Sequence, residues 1–136
     1  MTKSMNNVVL DSHAILRFAQ DEAGADRVEA LLSDAQKGSI LAFVNEINLG
    51  EIYYITARRL GADFARLFLD HFSTFAVERV PASWEIILSA AEVKASYALS
   101  YADCFAVATA LKCQAVVVTG DPEFRKVERL VHIDWI

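Results

Sequence analysis

The sequence predicts an α/β protein in which a parallel sheet is covered by helices on both faces. Three observations predict it. Short apolar runs alternate with longer segments whose apolar residues recur at helical spacing, along nearly the whole chain. The runs Asn7–Leu10 and Ala115–Val118 are almost wholly apolar, as strands buried on both faces must be. The chain has 136 residues and is 54% hydrophobic, enough for one full core and too short for two. A single domain, 1–136, is expected.

Taken in order, Asn7–Leu10 reads as the first strand and Ser12–Phe18 as a helix. Asp26–Gln36 carries Val28, Leu31, Leu32 and Ala35 at i, i+3, i+4 and i+7, and Gly38 ends it. Ile40–Val44 reads as the second strand. Asn45 suits the N-cap of a helix that reaches Leu60, with Gly61 as its stop. Ala62–Ser73 is predicted helical, Phe75–Val80 a strand, and Pro81 punctuates. Ser83–Tyr97 shows the stripe Trp84, Ile87, Leu88 and Ala91. Tyr101–Lys112 is a further helix, followed by the strand Ala115–Val118, the turn Gly120-Asp121-Pro122 and a last strand over Val131–Trp135. Phe75–Val80 and Val131–Trp135 mix charges into their pattern, as edge strands do.

Composition excludes several classes. No apolar run approaches the roughly 20 residues of a membrane span, and the N-terminus lacks the apolar region of a signal peptide. Cys104 and Cys113 fall on opposite sides of one helix, about 13–14 Å apart along its axis, so they cannot pair. Two free thiols fit a reducing, cytoplasmic compartment. There is no P-loop, no G-x-G-x-x-G fingerprint, no Ser–His–Asp elbow and no second aspartate of a haloacid-dehalogenase-type phosphatase. The net charge of −5 argues against a general nucleic-acid coat. If four acids bind cations, however, fourteen remain against thirteen basic residues, so a phosphate substrate is not excluded.

Four acids carry the chemistry. Asp103 heads the stripe Ala106, Val107, Ala110 and Leu111, so its carboxylate is expected on a core-facing side. An unpaired carboxylate there is expensive unless it finds a counter-ion. Glu51 repeats the pattern with Ile47, Tyr54 and Ile55 as same-face neighbours. Asp11 follows the first strand directly, and Asp121 comes two residues after Thr119 at the end of Ala115–Val118. Ligand crevices of parallel sheets lie beyond the carboxyl ends of strands, so Asp11 and Asp121 point to one place. Hard oxygen donors without clustered His or Cys select Mg²⁺ or Mn²⁺.

Other residues have plainer readings. Asp11 and Asp121 also suit N-caps. Glu46 complements a helix dipole, Glu123 is an accessory ligand at most, and Ser12 reads as a helix cap that could also touch the metal or its water. His13, His71 and His132 share no ligand spacing and read as surface or packing residues. Arg58, Arg59, Arg125, Lys126 and Arg129 read as solvated ends first and phosphate contacts second.

These residues resemble the PIN-domain family, and within it the small VapC-type toxins of type II toxin–antitoxin pairs. The carriers are Val8-Val9-Leu10-Asp11-Ser12, Asn48-Leu49-Gly50-Glu51-Ile52, Tyr101 through Ala110 around Asp103, and Val118-Thr119-Gly120-Asp121-Pro122-Glu123-Phe124. The resemblance covers essentially the whole chain. It implies a three-layer α/β/α fold with strand order 3-2-1-4-5. It also implies a Mg²⁺- or Mn²⁺-dependent endoribonuclease that hydrolyses RNA by a metal-activated water. Asp11, Glu51, Asp103 and Asp121 match its acidic quartet, and Ser12 and Thr119 its hydroxyls. His13 departs from the usual small polar residue, and Asp121 and Glu123 replace a more common Asn–Asp pair. A homodimer and a cognate antitoxin are further expectations, with Phe64, Leu67 or Tyr53 in the contacts. The alternatives are a non-catalytic RNA- or partner-binding module, or a metal-dependent DNA nuclease.

Overall fold

The computed structural model describes residues 7–136. Five parallel strands, β1 (Asn7–Leu10), β2 (Leu41–Asn45), β3 (Val77–Val80), β4 (Val116–Thr119) and β5 (Ile133–Trp135), form one sheet in the order β3-β2-β1-β4-β5. Six helices cover it: α1 (Ser12–Ala19), α2 (Ala25–Lys37), α3 (Glu46–Leu60), α4 (Ala62–Phe72), α5 (Trp84–Ser96) and α6 (Tyr101–Cys113). A 3₁₀ turn, Pro122–Val127, follows β4. The strand order is the one the resemblance implies. Several strands begin one or two residues later than the pattern suggests, as β3 does at Val77.

The period-2 alternation of the strands builds two cores. Val9, Phe43 and Val117 face α5 and α6. Val8, Leu10, Ala42, Val44 and Val118 face the other way, toward α1, α2 and α4. A central strand must satisfy both faces, which is why β1 and β4 carry almost no polar residue.

Three helix faces differ from the periodicity reading. In α5 the buried residues are Ile86, Ala90 and Val93, while Trp84 is 70% exposed and Leu88 44% exposed. This helix is apolar nearly all round, so spacing alone does not choose its face; docking against α6 does. In α6 every residue from Cys104 to Ala110 is buried, and Leu111 is exposed. Asp103 therefore heads no single stripe but the open end of a helix enclosed on all sides. In α3 the core face is Asn48, Ile52 and Thr56, whereas Ile47 and Tyr54 are exposed. Glu51 accordingly lies at the border of the core, because α3 meets its neighbours through its polar Asn48–Thr56 side.

Both cysteines are free, Cys104 buried and Cys113 half-buried. Among the described residues, no helix is long and apolar enough to cross a membrane.

Candidate functional site

The site forms where the strand order reverses, beyond the carboxyl ends of the neighbouring strands β1 and β4. Asp11 is the residue after β1. Its extended backbone makes it the N-cap of α1, and its Oδ1 accepts from the Ala14 amide at 2.8 Å. The capping role and the ligand position coincide in one side chain. The residue is 1% exposed, and its Oδ2 has no hydrogen-bond partner among the described residues. Burial pushes its pKa up to about 8; the Thr119 hydroxyl and Ala14 amide oppose this, and the charges of Asp103 and Asp121 add to it. A carboxyl so placed is protonated near neutral pH unless something positive faces it.

Next to Asp11, past Ser12 and His13, opens a cleft of about 480 Å³, lined by these two and by Glu51, Ser100, Asp103, Asp121 and Glu123 among others. Asp103 enters from the first turn of α6, whose N-cap Ser100 accepts from the Asp103 amide at 3.2 Å. Burial raises its pKa to about 6, with the Ser100 hydroxyl opposing and the charges of Asp121, Glu51 and Glu123 adding. Asp121 comes from the turn after β4. Its amide donates to Thr119 Oγ1 at 3.0 Å, and its Oδ1 accepts from the Glu123 amide at 2.9 Å. Glu51 enters from α3, held by Ser12, whose hydroxyl donates to its Oε1 at 2.6 Å.

Three of the four acids predicted from the sequence, Glu51, Asp103 and Asp121, thus line one cleft, and the fourth, Asp11, is buried beside it, close enough to feel the charges of Asp103 and Asp121. Among the described residues, however, no three His, Cys, Asp or Glu side chains gather tightly enough to enclose an ion. Like charges repel, and Glu51 and Asp121 each spend an oxygen on a protein donor. The donor set still fits a hard divalent cation: all are carboxylates, and Asp11 presents a buried oxygen with no partner.

Several assignments change. Ser12 is not the cap of α1, because Asp11 fills that role and frees the Ser12 hydroxyl for Glu51. His13 is neither a surface nor a simple packing residue. It lines the cleft, and its Nδ1 accepts from the Gly120 amide at 3.3 Å. Burial, with the Arg17 charge second, lowers its pKa. Glu123 borders the cleft but is paired with Lys126 at 2.5 Å. Glu46 keeps its structural role, bonded to Arg79 at 3.0 Å in the first turn of α3. Arg58 stacks over Tyr54 and Arg125 over Trp135. His71 packs edge-on against Phe75, and His132 is exposed.

Sequence reasoning placed Asn48 in a motif but gave it no role. It is fully buried, and its amide nitrogen donates to Glu51 Oε1 at 3.4 Å and to the Ala102 carbonyl at 3.2 Å, tying α3 to the start of α6. The available signal was a polar residue one turn before Glu51 on the same helical side.

The PIN domain family model matches residues 8–130. No curated protein sequence matches the chain. Solved structures share its fold. VapBC2 from Rickettsia felis, bound to a promoter DNA fragment, is 15% identical with a TM-score of 0.72, covering 96% of this chain and 99% of that one. VapBC-1 from nontypeable Haemophilus influenzae is 18% identical with a TM-score of 0.70, covering 95% and 98%. The toxin VapC20 of Mycobacterium tuberculosis, which cleaves the sarcin–ricin loop, is 17% identical with a TM-score of 0.71, covering 87% and 92%.

Proposed function

This chain belongs to the PIN domain family, and from that premise we propose that it is the toxin of a toxin–antitoxin pair. In this reading it is an endoribonuclease that hydrolyses RNA phosphodiester bonds with Mg²⁺ or Mn²⁺. The observation that carries the reading is Asp11: a buried carboxylate with one unpartnered oxygen, within reach of the charges of Asp103 and Asp121 and next to the cleft that they line with Glu51. The helix cap accounts for its Oδ1 and the Thr119 hydroxyl lies by the carboxyl, while Oδ2 accepts no hydrogen bond among the described residues.

Asp11, Asp103 and Asp121 would hold the cation, with Glu51 direct or through water. A divalent ion there supplies positive charge for the scissile phosphate and acidifies an attacking water. The chain's own residues do the rest. Ser12 and Asn48 aim Glu51 by two hydrogen bonds to one oxygen, leaving the other free for the cleft. The Thr119 hydroxyl fixes the peptide that carries Asp121. Attack by water, with the RNA 2′-hydroxyl as a bystander, leaves a 5′-phosphate and a 3′-hydroxyl.

A protein partner is supported by apolar surface elsewhere. Leu49, Tyr53, Leu69 and Phe72 line a hollow of about 290 Å³, and on α4 Phe64 is 42% and Leu67 66% exposed. A solved structure of similar fold from Klebsiella pneumoniae is a toxin–antitoxin complex, and an antitoxin is the partner we assign here.

The test is cleavage of RNA by the purified chain with Mg²⁺ or Mn²⁺, against the same reaction in excess EDTA and with Ca²⁺. Products carrying 5′-phosphate only with Mg²⁺ or Mn²⁺ are expected. Cleavage that persists in EDTA refutes the mechanism, and cleavage of DNA alone reassigns the substrate. Tight RNA binding without cleavage favours a non-catalytic binding module.

A further inference from the structure

Three consecutive residues at the start of α1 each serve a different part of the site. Asp11 is buried beside the cleft, Ser12 holds Glu51, and His13 contacts the peptide that leads into Asp121. The third contact has no assigned purpose. The Gly120 amide donates to His13 Nδ1 at 3.3 Å across the boundary between β1 and β4. The fit is close on both sides. A Cβ placed on Gly120 would stand 2.8 Å from His13 Cε1 and 3.0 Å from the Ile136 carbonyl oxygen, so the ring occupies the space that a side chain at 120 would need. The next residue, Asp121, is then held by its amide on Thr119 Oγ1 and by the Glu123 amide on its own Oδ1.

We propose that His13 is a positioning residue for Asp121, with its Nδ1 acting as the acceptor that fixes the Gly120 peptide and so aims the Asp121 carboxylate into the cleft. This rests on the reading of Asp121 as a cation ligand. The first turn of α1 then aligns both flanks of the site from one rigid element: Glu51 through Ser12 and Asp121 through His13. A ring that merely fills the space over Gly120 has no need of a nitrogen at that position. The two roles are therefore separable by chemistry at constant volume.

The experiment compares His13→Phe, His13→Asn and His13→Ala for Mn²⁺ affinity, measured by titration calorimetry on the full chain, with circular dichroism to show that each variant is folded. Phenylalanine keeps the ring and removes the acceptor. Asparagine removes the ring and returns an oxygen acceptor close to the place of Nδ1. Loss of such a supporting contact typically weakens metal affinity about 10–100-fold. We expect a drop of about tenfold or more for Phe and Ala and substantial rescue by Asn. The Gly120 amide should gain exchange with solvent in the Phe and Ala variants and stay protected in Asn. Undiminished Mn²⁺ binding by His13→Phe would overturn the assignment while leaving the metal reading intact. Absence of Mn²⁺ binding by the unmodified protein would instead overturn the metal reading, and with it the role given to His13. If only the Phe variant misfolds, the contrast between Asn and Ala decides.

Discussion

The hydroxyl of Ser12 donates to Glu51 Oε1 at 2.6 Å, joining residues 39 positions apart in the chain. The donor stands in the first turn of α1, beside the buried Asp11, and the acceptor in the middle of α3. This short bond fixes the separation of two elements that otherwise meet over mixed surface, and it sets the direction of one carboxylate in the cleft. Ser12→Ala should weaken Mn²⁺ affinity and cleavage by about 10–100-fold, in line with other supporting contacts of metal ligands. The accompanying loss of stability should be about 1 kcal/mol. Calorimetric titration and a denaturant melt measure the two effects separately. Unchanged affinity would show that the Ser12 contact does not position Glu51 for the cation.

Asp103→Asn should remove cleavage to the limit of detection and relieve toxicity on expression. It should leave the metal-free fold at least as stable as the parent. Burial raises this carboxyl to about 6, with Asp121, Glu51 and Glu123 adding to the rise, so an amide of similar shape removes a repelled charge. Thermal melts in EDTA check the second half. Marked destabilisation would mean that Asp103 has a structural partner instead.

The metal-free protein should lose stability as pH rises. Folded Asp11 keeps its proton up to about 8, whereas the unfolded chain releases it near 3.8. Between those values the native state binds more protons, so the slope of unfolding free energy with pH is negative. Asp103 adds to the same trend over a narrower range, up to about 6. Saturating Mn²⁺ should flatten or reverse the slope, because the cation takes the place of the protons. Melting temperatures from pH 5 to 8, with EDTA and with Mn²⁺, test this. Identical profiles in the two would remove the cation from the account.

The protein should form a dimer at micromolar concentration, twice the 15.1 kDa of one chain. Phe64 and Leu67 lie on the outer side of α4, away from its buried Ala65, Phe68 and Phe72. Light scattering on the parent and on Leu67→Glu decides it. A monomer in both cases would leave these residues to an antitoxin or to solvent.

Much of this was legible in the residues themselves. The central strands announce themselves because both faces are buried and nearly every position is apolar, as in Val8-Val9-Leu10 and Val116-Val117-Val118. The N-cap at Asn45 and the stop at Gly61 are local chemistry, and the structure has both. Asp11 and Asp121 could be located because a strand end fixes where the next residue points. Helix faces were harder. In α5 and α6 apolar residues run round the helix, so Trp84 and Leu111 look as suited to the core as Ile86 and Ala110. Only packing against neighbours separates them. Glu51 reached the cleft although two of its three supposed stripe neighbours, Ile47 and Tyr54, face solvent; the third, Ile55, lines the cleft with it. The roles of Asn48 and His13 were hidden because each depends on one partner distant in sequence, Ala102 and Gly120, which periodicity does not register.

The enclosure of α6 has a consequence for how the cleft adapts to what enters it. A helix buried on every side from Cys104 to Ala110 opens to solvent only when the whole domain unfolds, so its amides should exchange at the global rate. The wall bearing Asp103 is then the stiff jaw of the site. The opposite wall carries Asp121 at the head of a 3₁₀ turn whose Phe124 and Val127 are anchored in the core while Pro122, Glu123, Arg125 and Lys126 face solvent. Changes in substrate selectivity should therefore arise from substitutions at the exposed Glu123, Arg125 and Lys126 far more readily than from any in the body of α6.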